Sequence, residues 1–173
     1  MSEHESVPVI SLVGKSGVGK TTALEAILRE LKRRGYRVGT IKHDTHGFDV
    51  DKPGKDSWRH AQAGSDVVVI SGPLKLAMIH KLSEEMPLDE IIPLMRNVDI
   101  VITEGYKRGD RPKIEVTRLE RGTELLCQAE ELIGLMTDHA VDMPVPQFAL
   151  EDALGVVDLL EELYLQTDSE VEK

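Results

Sequence analysis

A chain of 173 residues with 40% hydrophobic content is long enough for one compact domain with a real core. Its formal net charge of −10 argues against a partner such as nucleic acid or an anionic membrane, which would select a positive surface, and leaves a small anion as the natural ligand. The single Cys127 excludes an intrachain disulfide and thiolate-rich zinc sites, no run approaches the ~20 apolar residues of a membrane span, and residues 1–6 lack the basic start of a secretory leader, so a cytoplasmic protein is expected.

The apolar residues 8–13 predict a buried first strand, followed directly by Gly14-Lys15-Ser16-Gly17-Val18-Gly19-Lys20-Thr21. The pattern is G-x-x-x-x-G-K-[ST]. Its glycines let successive backbone N–H groups curl around phosphate, Lys20 brings a mobile charge to the β and γ phosphates, and Thr21 offers a hydroxyl to Mg²⁺. Thr22 opens a helix whose apolar residues Ala23, Leu24, Ile27, Leu28 and Leu31 recur at helical spacing, with its amino-terminal dipole facing the anion. Arg33-Arg34-Gly35 ends that helix, and residues 37–41 alternate as a second strand, completing a β-α-β unit.

Residues 43–56 are polar and form the longest irregular segment, the kind of loop that usually carries function. Asp56 or Ser57 caps a short helix through Ala63; residues 66–71 read as a buried strand, with residues 74–79 as its antiparallel neighbour across Gly72-Pro73. Residues 88–96 predict a short helix weakened by Pro93, and residues 98–105 a buried strand ending in Glu104-Gly105. Residues 113–117 and 132–137 supply two further strands. The last element, residues 151–165, is expected to be an amphipathic helix with Leu154, Val157, Leu159 or Leu160, and Leu163-Tyr164 along one side, followed by a frayed acidic tail over residues 167–173.

Strands alternating with helices imply an α/β, P-loop NTPase architecture: a mostly parallel, doubly wound sheet with helices on both faces, in one nucleotide-binding domain over residues 1–166. Ligands in such sheets lie beyond the carboxyl ends of the strands, where Gly14, His43, Glu104 and Asp138 all fall. Glu104 is the candidate acidic partner of Mg²⁺, because Asp99 opens its strand at the opposite edge. Asp138 follows the last predicted strand, where a carboxylate can accept from guanine's ring N–H and exocyclic amine; the alternative is a turn or capping aspartate. His43, His46, Asp49 and Asp51 fit no zinc spacing and read as a phosphate-sensing or substrate-contacting loop. Lys55, Arg59 and Trp58 gather near the next helix start, where cations suit a second anionic group and Trp58 packs.

Lys15 sits directly after the first glycine, which resembles the deviant Walker A loop of dimeric NTPases related to the septum-positioning and nitrogenase-iron-protein groups. That resemblance implies a lysine reaching phosphate across a dimer interface, in the manner of an arginine finger. The plain alternative is a solvent-exposed lysine at a variable loop position.

Together, the loop 14–21, the stretch Ile41-Lys42-His43-x-x-His46-x-x-Asp49-x-Asp51-x-Pro53-Gly54-Lys55-Asp56-Ser57-Trp58-Arg59 with Ala63-Gly64, and the strand Asp99-Ile100-Val101-Ile102-x-Glu104-Gly105-Tyr106-Lys107 resemble the molybdopterin-guanine dinucleotide biosynthesis adapter (MobB) family. The resemblance covers most of the chain. It implies a homodimeric GTP-binding protein with weak hydrolysis, partnered by the guanylyltransferase that attaches GMP to the molybdenum cofactor, with molybdopterin itself as a further contact. In that reading Gly14, Lys15, Ser16, Gly17, Val18, Gly19, Lys20, Thr21 and Thr22 hold GTP, Thr21 and Glu104 hold Mg²⁺, Lys15, Lys20 and Glu104 act in hydrolysis, and His43 and Asp138 line the nucleotide. The rival readings are a small-molecule kinase, for which Lys107-Arg108-Gly109-Asp110-Arg111 is too short an arginine lid, and a dimeric partitioning or metal-insertion ATPase, which Lys15 would suit.

Overall fold

The computed structural model describes residues 7–165; the stretch read for a leader and the acidic tail 167–173 lie outside them. Within the stretch read as one domain, the contacts separate two compact units, one formed by residues through His43 together with those from Met95 onward, the other by Asp44–Leu94.

The first unit is built on a six-stranded sheet of β1 (Val9–Val13), β2 (Val38–Lys42), β5 (Ile100–Glu104), β6 (Lys113–Thr117), β7 (Leu132–Thr137) and β8 (Gln147–Ala149). The strand order is β2-β5-β1-β6-β7-β8 and every pairing is parallel, in agreement with the mostly parallel sheet read from the sequence. All five residues of β1 are buried, as a continuous apolar run at the centre of a parallel sheet requires. The chain leaves β1 toward β2 on one side and later places β6 on the other, so β1 marks the point where the winding changes direction.

Helix α1 (Lys20–Arg33) buries Ala23, Leu24, Ile27 and Leu31, a stripe at the 3.6-residue period. These meet Ile10, Leu12, Ile100, Ile102 and Ile114 of the sheet, and Val156, Val157 and Leu160 of the closing helix α4 (Ala153–Leu160). On the other side Val13, Leu132, Leu135 and Cys127 form a second cluster, flanked by Leu125, Val141, Met143 and Val145. Arg34, just past α1, joins the two helices: its guanidinium reaches Glu30 at 2.7 Å, Asp158 at 2.7 Å and Glu161 at 2.5 Å.

The closing helix differs from its predicted form. It starts at Ala153, where the Asp152 side chain accepts from the Gly155 N–H at 2.9 Å, and ends in a π-helical turn over Glu161–Leu165. Its buried stripe is Ala153, Val156, Val157 and Leu160, whereas Leu154 and Leu163 are exposed, because a row of every third residue drifts off a 3.6-residue period. Strand β8 was not expected at all. It follows Pro144 and Pro146, and such a three-residue strand fits only at the sheet's outer edge.

In the second unit, α2 (Asp56–Gln62) precedes an antiparallel hairpin of β3 (Val67–Ser71) and β4 (Leu76–His80), and α3 (Leu88–Ile91) runs into a 3₁₀ turn at Ile92–Leu94 that contains Pro93. The pairing is the predicted one, but the predicted burial is not observed. Only Val68 of β3 is buried, while Val67, Val69, Ile70, Leu76 and Met78 are exposed. A two-stranded hairpin packed by one short helix cannot cover both of its faces.

Candidate nucleotide-binding site

The loop between β1 and α1 has the backbone that its glycines predict. Gly17 and Gly19 have φ of 77° and 97°, in the left-handed region, and Gly19 caps α1. Gly14 is required by space as well: a Cβ there would lie 2.3 Å from the Val116 carbonyl oxygen of β6. Val18 is buried and anchors the loop to the core, leaving Ser16 and Gly17 exposed at its crest. Lys20 curls back over this crest, its Nζ donating to the carbonyl oxygens of Gly14 at 3.0 Å and Lys15 at 2.9 Å.

Thr21 and Thr22 stand exposed in the first turn of α1. The Thr21 hydroxyl donates to Glu104 Oε1 at 3.1 Å, joining the helix start to the carboxyl end of β5. Two hard oxygen donors side by side, next to a glycine cradle and a lysine ammonium, form a donor set that fits Mg²⁺ beside a polyphosphate. Asp99 lies at the opposite end of the strand, bound to the Arg37 backbone N–H at 2.7 Å and its guanidinium at 2.5 Å. Arg37 holds the Asp99 carboxyl below the usual carboxylate range.

His43 leaves β2 at the same edge, its N–H donating to the Glu104 carbonyl at 3.0 Å and its ring stacking on Tyr106 at 4.5 Å between centroids. Tyr106 has φ of 54°, an uncommon conformation for a bulky residue, and it directly follows Gly105, where a Cβ would lie 3.1 Å from the His43 Cβ. The rest of the predicted histidine loop belongs to the second unit, where Asp44 accepts the His46 N–H at 2.8 Å. There too Trp58, Arg59, His60 and Asp56 line a cavity of about 540 Å³.

Asp138 follows β7, and its Oδ1 accepts the Leu119 N–H at 2.8 Å and lies 3.1 Å from His139 Nδ1. The Leu119 N–H first, then His139, lower the Asp138 pKa. Asp138 thus ties down the turn after β6, which carries Arg118 and Arg121. Neither arginine was singled out from the sequence. Arg118 Nε donates to the Val18 carbonyl at 2.9 Å, and the Arg121 guanidinium lies over Gly17. The strand pattern of residues 113–117 carries a signal for Arg118, because the residue after it faces the ligand edge like those after β1, β2 and β5.

A parallel sheet whose central strand runs through a glycine loop into a helix, with a lysine and a hydroxyl at the helix start, defines a P-loop NTPase-like α/β protein. Residues 9–138 match the family model described as Molybdopterin guanine dinucleotide synthesis protein B. The chain is 34% identical over 142 residues to the molybdopterin-guanine dinucleotide biosynthesis adapter protein of Haemophilus influenzae, across 81% of this chain and 80% of that one. It is 30% identical over 168 residues to the Escherichia coli protein of the same description, across 94% and 96%. A crystal structure of molybdopterin-guanine biosynthesis protein B matches with a TM-score of 0.70 at 28% identity, over 90% of this chain and 99% of that chain. The Bacillus subtilis MobB structure matches at 0.70 and 25% identity, over 90% and 98%. The chain belongs to the molybdopterin-guanine dinucleotide biosynthesis adapter (MobB) family.

Proposed function

We propose that this protein is a GTP-binding adapter with weak GTPase activity that assists guanylylation of the molybdenum cofactor, acting beside the guanylyltransferase. The observation that carries the reading is the Gly14–Thr21 loop with Thr21 hydrogen-bonded to Glu104, in a chain of this family. Lys20 exchanges its two loop carbonyls for phosphate oxygens, a small rotation of a flexible side chain that brings a charge to the ligand. The exposed loop amides and the positive end of α1 hold the phosphates. Glu104 and Thr21 hold Mg²⁺, which when bound neutralises phosphate charge.

His43 and Asp138 border the nucleotide from β2 and β7. The basic loop at residues 107–111 is too short for a kinase lid, and slow hydrolysis serves to time the partner contact. A homodimer in the cytoplasm is part of this reading, supported by the apolar side chains exposed on the β3–β4 hairpin, which suit a second copy of the same surface. Lys15 Nζ lies 3.4 Å from the Arg121 carbonyl of its own chain. It can act in hydrolysis from there or across the dimer.

Calorimetric titration with GTP and ATP in Mg²⁺, followed by phosphate release with and without the guanylyltransferase, tests the reading. Tighter binding of GTP with slow release is expected; a clear ATP preference, or rapid phosphorylation of an added acceptor, overturns it. Lys20→Ala should abolish binding, and Lys15→Ala should spare binding and slow hydrolysis.

A further inference from the structure

A chain with a net charge of −10 gathers Lys15, Lys20, Arg118 and Arg121 around one loop. Concentrating cations there in an otherwise acidic protein makes a local anion site that overall charge conceals. The two arginines are held differently. Arg118 Nε is committed to the Val18 carbonyl at 2.9 Å, so it clasps the loop from outside and fixes its shape.

Arg121 is held more loosely, in a long, solvent-exposed ion pair with its neighbour Glu120. A Cβ on Gly17 would lie 3.0 Å from its terminal nitrogen, so the guanidinium rests against the exposed crest of the loop. Its Nε is 3.8 Å from Glu120 Oε1, beyond hydrogen-bond range, and the side chain is 52% exposed. The backbone beneath it is held by hydrogen bonds: Arg121 N–H donates to the Arg118 carbonyl at 2.9 Å, Gly122 N–H to the Leu119 carbonyl at 3.0 Å, and Leu119 N–H to Asp138 Oδ1 at 2.8 Å. A guanidinium resting against the loop crest, beside its row of amides, matches the planar, two-point recognition that arginine gives a phosphate group.

We propose that the turn at residues 118–122 is a phosphate clamp supplied by the same chain, in which Arg121 contacts an oxygen of the bound polyphosphate and Arg118 is a positioning residue for the loop. The inference rests on the nucleotide reading above and adds a phosphate contact from β6 that the glycine loop alone does not supply. The ligand class is a di- or triphosphate chain, read without regard to its base.

Calorimetry on the full chain with three probes, Mg·GTP, Mg·ATP and inorganic tripolyphosphate, tests it. Arg121→Gln should weaken all three by about tenfold or more, the loss expected of one charge-assisted hydrogen bond, and should lessen the salt dependence of binding. Arg121→Lys should recover part of the affinity, and the melting temperature of both variants should match the parent. Arg118→Gln should weaken binding with a lowered melting temperature. Parent-like affinity of Arg121→Gln for the probes overturns the clamp while leaving the nucleotide reading intact; a parent chain that binds none of the probes overturns both.

Discussion

Thr21 and Glu104, 83 residues apart in the chain, meet at 3.1 Å because β1 and β5 are parallel neighbours: Leu12 pairs with Glu104, and the glycine loop turns α1 back over that end. The pair places a hydroxyl and a carboxylate where a metal ion would join phosphate to protein. Glu104→Gln keeps an oxygen for Thr21 but removes the charge. Affinity for GTP in Mg²⁺ should fall about tenfold, the scale of one charged contact, while affinity measured in EDTA stays unchanged. An equal loss with and without the metal would show that Glu104 acts on the loop and not on the ion.

Gly14 is the position where the loop tolerates least. Its missing Cβ is replaced by the Val116 carbonyl, 2.3 Å from where that atom would stand, and β1 and β6 are both central and cannot separate cheaply. Gly14→Ala should cost about 2–4 kcal/mol in urea unfolding, an overpacking and strain penalty, and should abolish nucleotide binding. Stability within error of the parent would mean that the β1–β6 contact gives way more easily than its geometry implies.

These two positions were legible in the sequence because the glycine motif, the apolar run before it and the helical stripe after it all point to one local arrangement. Glu104 was found by a topological argument: the carboxyl end of a parallel strand faces the ligand. By the same rule, the strand at residues 113–117 sets Arg118 at the ligand edge. An arginine in a surface turn carries no periodic or motif signal of its own. Arg121 was beyond reach. Its place over Gly17 depends on the turn held by Asp138, a contact between segments that periodicity does not encode. The β3 strand shows a limit of another kind: a continuous apolar run signals surface that wants burial, but not what buries it.

Asp138 offers a choice between reading guanine and holding a turn. Its Oδ1 is engaged by the Leu119 N–H and lies beside His139, which favours the second role. Asp138→Ala should therefore weaken GTP and ATP by the same factor, through loss of the 118–122 turn. A loss confined to GTP in parallel titrations would assign the carboxylate to the base.

Glu115 is fully buried on β6 and accepts the N–H groups of Leu126 at 2.8 Å and Cys127 at 3.1 Å. Burial first, then the Glu115 charge, push the Cys127 thiol up to about 12. Because the fold favours the neutral thiol, this contribution is complete below the ordinary value of 9.0 and is lost as pH rises toward 12. Native Cys127 should resist iodoacetamide at pH 8 and react promptly in denaturant. Glu115→Gln, which turns one acceptor into a donor facing an N–H, should cost about 1–3 kcal/mol by urea unfolding. Rapid native labelling of the parent would contradict this packing.

Glu30 lies near the end of α1 beside two arginines. Its carboxylate accepts from Arg33 at 2.6 Å and from Arg34 at 2.7 Å, and these two partners, against a smaller opposing effect of burial, bring its pKa from 4.5 to about 2. The ionised form is favoured by the fold, so its contribution is present above pH 4.5 and fades as pH falls from there to about 2. Asp99 and Asp138 are lowered as well, so the acid limb of the parent alone does not isolate Glu30. The difference in melting temperature between the parent and Glu30→Gln does. It should hold steady from neutral pH down to about 5 and close progressively below 4.5. High salt should shrink it, since Arg33 is largely solvent-exposed, while Arg34, shielded between α1 and α4, retains part of it. A gap that stays constant down to pH 2 would show that Glu30 supports the helix by packing and not by charge.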